Sequence, residues 1–348
     1  MTPTRDLPSV TFYSMGGTIA SIDDPDAPGG GVIPRMSPEQ LLGGVPGVAR
    51  LARITSVAFR QCPSGDIMFS DLMELAATID ARFEAGDHGV VVSQGTDTIE
   101  ETAFSLSLLM QTAGPVVVTG AMRNPTLPGA DGPANVLAAI SVAASPVAVG
   151  LGCVVVLNDE IHDSRYVRKM HTSSIGAFGS RLTGPIGWVS EGNVRIFRRP
   201  ARLPRIATAS GDDVPPVAII KVSLADDGRF FDQVESLGYR GVVVEALGGG
   251  HVPGALVPTL ERLAARMPVV LASRVGDGET LSRTYGYPGS EQDLLARGLI
   301  SAGLLDSLKA RVLLTFLLAR ADDREGLREV FEAHASLLEG PPEGRDPD

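Results

Sequence analysis

Short apolar runs punctuate this chain. Each ends in glycine or a hydroxyl-bearing turn and gives way to stretches with three-to-four-residue apolar spacing. Val10-Thr11-Phe12-Tyr13-Ser14-Met15 is the first run, and segments 53–60, 89–94, 115–122 and 152–157 repeat it through the first half. Near-continuous Val, Ile and Leu mark strands buried on both faces. Ser37-Pro38-Glu39-Gln40 reads as a helix start, with Ser at the N-cap, Pro at N1 and Gln at N3. Further helices are expected over about 70–83, from Thr98 onward and over 131–145. In the second of these, Ile99, Ala103, Leu106 and Met110 share one face, and Thr98 with Glu101 has the spacing of a capping box. The same alternation restarts at residue 217, with strands over 217–222, 241–247 and 268–272 and helices over 231–237, 253–267, 306–320 and 325–336.

Strands separated by crossover helices pair in parallel with right-handed connections. The expected fold is therefore α/β: a larger N-terminal domain with a mainly parallel sheet, a linker, and a smaller C-terminal α/β domain with a parallel sheet. Pro200, Pro204, Gly211, Pro215 and Pro216 put the linker at 201–216, between domains at 1–200 and 217–348. The segment from Glu160 to Pro200 reads as less regular and richer in arginine, and Asp23 to Gly31 as a mobile acidic surface loop.

Composition narrows the partners. The 348 residues carry a net charge of −11, which argues against nucleic acid or an anionic membrane as main partner. With 44% hydrophobic and 20% charged residues, a sizeable core is available. Cys62 and Cys153 make no disulfide framework, and Cys153 sits in an apolar run as a small core residue. No apolar run reaches membrane-spanning length, and the N-terminus lacks the hydrophobic region of a secretory signal, so a cytoplasmic protein is expected.

The candidate chemistry lies at strand ends. Thr18 follows Gly16-Gly17, Ser64 follows Pro63, and Thr96-Asp97 follows Gln94-Gly95. In an open α/β sheet such turns line the edge where ligands bind. A threonine hydroxyl is a weak nucleophile until a base or nearby cation activates it. The chain has only three lysines, Lys169, Lys221 and Lys309, against many arginines. Lys169, beyond the strand ending at Asp159, is the best partner for Thr96 and Asp97; Lys309 reads as a surface charge on an amphipathic helix. Equally, Thr96 and Asp97 read as ordinary turn and cap residues, and Lys169 as a solvated charge. No zinc-protease, Walker A or nucleophile-elbow motif is present, and the five histidines lack metal-ligand spacing. Gly248-Gly249-Gly250 falls short of a dinucleotide fingerprint, since Pro253 occupies its sixth position.

Met15-Gly16-Gly17-Thr18-Ile19-Ala20 and Gln94-Gly95-Thr96-Asp97-Thr98-Ile99-Glu100-Glu101-Thr102-Ala103 resemble the two signature motifs of the bacterial-type L-asparaginase/glutaminase family. Gly120-Ala121-Met122-Arg123, Ala130-Asp131-Gly132-Pro133-Ala134-Asn135, Asn158-Asp159 with Lys169, and Lys309-Ala310-Arg311 are similar to further family segments. The resemblance runs from about Val10 to Phe331. It implies cofactor-free hydrolysis of a side-chain amide to a carboxylate and ammonia, with no metal. Thr18 is the implied nucleophile, and Thr96, Asp97 and Lys169 the second catalytic cluster. Ser64, Gly65, Asp66, Gly95, Thr96, Asp97 and Ala121 are the implied substrate contacts. A homotetramer with sites at subunit interfaces is also implied.

Three departures accompany the resemblance. Residues 21–35 contain no tyrosine, whereas the family's flexible loop carries one that contacts the nucleophile. Gly248-Gly249-Gly250-His251 stands where an asparagine is usual. Where a neighbouring subunit usually contributes an acidic residue, the register gives Tyr285, with Glu279 and Glu291 nearby. The alternatives are therefore an enzyme for glutamine or a larger modified amide, and a non-catalytic amino-acid-binding relative.

Overall fold

The computed structural model describes residues 7–24, 31–207, 214–320 and 324–336, which divide into two compact units at Arg205/Ile206. The first unit holds strands β1 (Ser9–Gly16), β2 (Ser21–Asp23), β3 (Val32–Pro34), β4 (Arg53–Cys62), β5 (Gly89–Ser93), β6 (Val116–Thr119) and β7 (Cys153–Leu157). These are followed by β8 (Glu160–Asp163), β9 (Arg168–Lys169), β10 (Phe178–Gly179), β11 (Gly187–Ser190) and β12 (Asn193–Ile196). Its helices are α1 (Pro38–Gly43), α2 (Phe69–Glu84), α3 (Ile99–Leu109) and α4 (Gly132–Ala143).

Eight of the strands form one sheet in the order β12-β11-β8-β7-β6-β5-β1-β4. The five from β7 to β4 pair in parallel. Every residue of β5, β6 and β7 is buried, as their valine-rich runs require. Cys153 lies in this core, where burial pushes its thiol pKa up. The segment that reads as irregular supplies β8, β11 and β12, which extend the sheet antiparallel. These strands have four residues each and mixed polarity, too little for a period to register.

The helix starts test the capping expectations. At α1, Ser37 accepts from Gln40 N at 3.2 Å, and Gln40 Oε1 accepts from Ser37 N at 2.8 Å, the expected capping box. β2 and β3 pair as a hairpin across part of the expected surface loop, and residues 25–30 of that loop lie outside the described residues.

Within this unit β8 buries His162, which is 1% exposed. Burial pushes its pKa down from 6.5 to about 4. Its Nδ1 meets Ser180 Oγ at 3.1 Å. Below pH 6.5 the unfolded chain takes up a proton that the folded chain refuses, so stability falls as pH drops from about 6.5 toward 4. The contribution is about 3 kcal/mol over that window. His162→Gln should flatten this part of the pH–stability curve, measured by urea denaturation at several pH values. An unchanged slope would remove His162 as its source.

The second unit has an all-parallel sheet in the order β13-β14-β15-β16, formed by β13 (Val217–Lys221), β14 (Gly241–Ala246), β15 (Val269–Ser273) and β16 (Ile300–Ser301). Its helices are α5 (Arg229–Gln233), α6 (Val257–Ala264), α7 (Glu291–Ala296), α8 (Ser307–Ala319) and α9 (Arg324–Ser336). Lys309 is not the surface charge its helix suggests. It is fully buried, and its Nζ lies 2.8 Å from Asp306 Oδ2. Helix α8 packs between the sheet and α9, so almost no face of it is left to solvent. Lys221 is the exposed lysine, 3.1 Å from Glu245. Among the described residues no helix is long and apolar enough to cross a membrane.

Candidate active site

Four neighbouring parallel strands, β4, β1, β5 and β6, end along one edge of the large sheet. Each is followed by a turn that carries candidate chemistry. A 3-10 turn over Ser64–Asp66 follows β4, one over Thr18–Ala20 follows β1, and one over Thr96–Thr98 follows β5. Gly120 and Ala121 follow β6. Residues separated widely in sequence therefore share one edge because their strands are adjacent.

Two glycines make the approach close. Gly17 has φ 79°, and a methyl group on it would fall 2.0 Å from Gly95 N. A methyl on Gly95 would fall 2.8 Å from Ser64 Oγ. Only bare backbone lets the Thr18, Thr96 and Ser64 turns meet this way. Thr18 is half-buried, and Ser64 is 5% exposed. Among the described residues neither hydroxyl makes a hydrogen bond. Gly65 and Asp66 lie exposed beside Ser64.

Lys169 reaches this edge from β9, which is held by its antiparallel partner β10. Its Nζ donates to Thr96 Oγ1 at 2.8 Å and to Asp97 Oδ1 at 2.6 Å. Its backbone N–H donates to Glu100 Oε1 at 3.3 Å, so a buried carboxylate on α3 also ties the strand down. Thr96 is 6% exposed, whereas the Asp97 side chain is 78% exposed. The cluster thus has a dry end at the hydroxyl and a wet end at the carboxylate. An ammonium against a buried hydroxyl oxygen stabilises negative charge that develops there.

Thr98 differs from its expected role. It makes no side-chain cap at the start of α3. Its hydroxyl donates to Ser64 O at 3.0 Å and accepts from Gln94 Nε2 at 3.2 Å. A 3-10 turn precedes α3, which aims the hydroxyl across to the neighbouring turn rather than down its own helix.

Asn135 and Asp131 are residues to which sequence reasoning assigned no role. Asn135 is 2% exposed; its Nδ2 donates to Gly120 O at 2.9 Å and to Asp131 Oδ2 at 3.0 Å. Its Oδ1 accepts from Asn158 N at 3.0 Å. Asp131 accepts from the backbone N–H groups of Met122 and Arg123 at 3.0 and 2.9 Å. Two side chains at the start of α4 thus pin the Gly120–Arg123 turn and the end of β7. The sequence signal was polar residues one helical turn apart on an otherwise apolar helix. Asn135→Leu leaves these groups unpaired and should cost about 2–4 kcal/mol of stability. Turnover should fall up to roughly 100-fold through displacement of the Ala121 wall. Denaturant titration together with steady-state kinetics checks both effects.

In the second unit, Glu291 is fully buried and already engaged. It lies 3.1 Å from His251 Nε2 and accepts from the backbone N–H groups of Thr284 and Tyr285 at 2.8 and 2.7 Å. Burial acts to raise its pKa, but these hydrogen bonds outweigh that and bring it below the usual carboxylate value. His251 packs edge-on against Tyr285, which is 43% exposed. Of the residues the register brought forward here, Tyr285 and Glu279 are the exposed ones.

With this geometry established, comparison with known proteins is specific. Residues 9–202 match the family model for the N-terminal asparaginase domain, and residues 216–331 match that for the glutaminase/asparaginase C-terminal domain. A probable L-asparaginase of Deinococcus radiodurans is 36% identical over 93% of this chain and 97% of its own length. A glutaminase-asparaginase of Pseudomonas aeruginosa is 31% identical over 94% and 91%. The crystal structure of a probable cytoplasmic L-asparaginase from Campylobacter jejuni superposes with a TM-score of 0.83 and 30% identity, covering 93% of this chain and 99% of that one. From the four-strand edge, its lysine-held threonine and these matches over both units, the chain belongs to the asparaginase/glutaminase family.

Proposed function

We propose that the chain hydrolyses L-asparagine to L-aspartate and ammonia, with Thr18 as the nucleophile. The observation that carries this reading is the Lys169 Nζ contact with Thr96 Oγ1 at 2.8 Å and Asp97 Oδ1 at 2.6 Å, on the sheet edge that also bears Thr18. The Thr18 hydroxyl oxygen attacks the side-chain amide carbon and forms a C–O bond. The C–N bond then breaks, and the hydroxyl proton leaves with nitrogen as ammonia. Water attacks the resulting ester carbon, oriented by the Thr96 hydroxyl, and a proton returns to Thr18 as aspartate departs. Lys169 offsets negative charge on Thr96 Oγ1, and Asp97 balances the ammonium. Ser64, Gly65, Asp66, Gly95, Thr96, Asp97 and Ala121 hold the substrate, with Asp97 on its α-ammonium.

Ammonia release from asparagine, glutamine and bulkier amides tests this. Turnover of asparagine is expected; no release from any amide by the folded protein would defeat the proposal. A second reading, preference for a larger amide, rests on the tyrosine-free segment 21–35, and higher kcat/KM for a bulkier amide would establish it. The name of the Campylobacter relative supports a cytoplasmic setting. A homotetramer is proposed on the family resemblance, and sedimentation velocity measures it.

A further inference from the structure

A cavity of about 100 Å3 lies in the first unit behind the Thr18 turn, and Thr18 does not line it. Ile19, Leu41, Val45, Ala121 and Pro133 wall it, and Arg123 also lines it. The first four are no more than 6% exposed. Arg123 is exposed; its guanidinium donates to Gly129 O at 3.3 Å and makes no ion pair among the described residues. The walls are mostly hydrocarbon, with Gln40 as a polar exception, and come from the turn after β1, from α1 and the segment after it, from the segment after β6, and from the first turn of α4. An apolar cavity of about 150 Å3 stays dry and admits benzene. On that scale this one takes a chain of roughly four carbons. A guanidinium without an ion pair beside an apolar cavity favours a planar carboxylate, which it can grip with two parallel hydrogen bonds.

We propose that this cavity is a binding site for a short-chain aliphatic carboxylate. The hydrocarbon tail lies between Ile19, Leu41, Val45 and Ala121, and the carboxylate sits on the Arg123 guanidinium. Occupancy also acts on the catalytic turn, a consequence that rests on the role proposed above for Thr18. Ile19 belongs to the same 3-10 turn as Thr18. On its other side that turn is pressed against Gly95 through Gly17, so it has no slack there. A tail packed against Ile19 steadies Thr18 and raises kcat/KM.

Isothermal titration calorimetry of pentanoate into the full chain tests the site, with acetate as the tail-less comparison and with or without saturating L-aspartate. One pentanoate per chain is expected in both conditions, with acetate at least tenfold weaker. Val45→Met, which fills the tail space, and Arg123→Gln, which removes the lining charge, should each weaken pentanoate at least tenfold. No binding to the folded protein, unchanged affinity in both variants, or displacement by aspartate overturns the proposal; displacement would assign the acid to the substrate site. Pentanoate should raise kcat/KM for asparagine at least twofold in the unsubstituted protein and not in Arg123→Gln. Binding without that rise overturns the coupling alone. Absence of all turnover counts against the threonine mechanism and leaves calorimetry to judge the cavity.

Discussion

Replacing Thr18 by alanine is expected to lower kcat/KM for asparagine by three to four orders of magnitude, roughly 4–5.5 kcal/mol of barrier. The protein should remain folded. The lost group is a half-buried hydroxyl without a hydrogen-bond partner among the described residues, so its removal leaves nothing unpaired. Binding of aspartate, measured by calorimetry, should be nearly unchanged, since Ser64 and the Thr96–Asp97 turn remain in place. Thr18→Ser restores the hydroxyl and should recover a substantial part of the rate. Wild-type-like turnover in Thr18→Ala would remove this residue from the mechanism and leave Thr96 as the candidate nucleophile.

Lys169→Met should have an effect of similar size, about 1,000-fold on kcat, through a different cause. Methionine keeps an unbranched stem, with its Sδ and Cε standing in for the lysine Cδ and Cε, and lacks the ammonium. Thr96 Oγ1 then loses the ammonium at 2.8 Å, and the mostly exposed Asp97 is left to solvent. The Thr96 hydroxyl has nothing to offset charge as it orients water, so the second half of the reaction should slow most. Single-turnover experiments with rapid quench should trap an ester on Thr18 that does not accumulate in the unsubstituted protein. Thr96→Val should reproduce this behaviour. Normal turnover in Lys169→Met would reduce the cluster to a structural ion pair.

The strands and the turns that carry Thr18, Ser64 and Thr96 were legible in the sequence because each is a local event. A run of four or five β-branched residues bounded by turn residues favours a strand buried in a sheet, and a glycine or hydroxyl just beyond it then falls at the sheet's edge. The cap at Ser37 was legible for the same reason, since donor and acceptor lie three residues apart. Strands β8, β11 and β12 were not, because four residues of mixed polarity carry no period of their own. They hold their place through pairing with β7 and with one another.

By itself, the sequence determined the α/β alternation, the residue types at the strand ends and the identity of the family motifs. Tertiary structure alone decided which of those residues touch. Lys169 meets Thr96 across 73 positions, a contact no short window contains. Lys309, on a helix that reads as partly exposed, is buried because both sides of that helix are covered. Thr98 turns its hydroxyl to Ser64 and not to its own helix, because the turn after β4 brings a carbonyl within 3.0 Å. In each case the deciding quantity is the packing of segments distant in sequence, which no local run of residues contains.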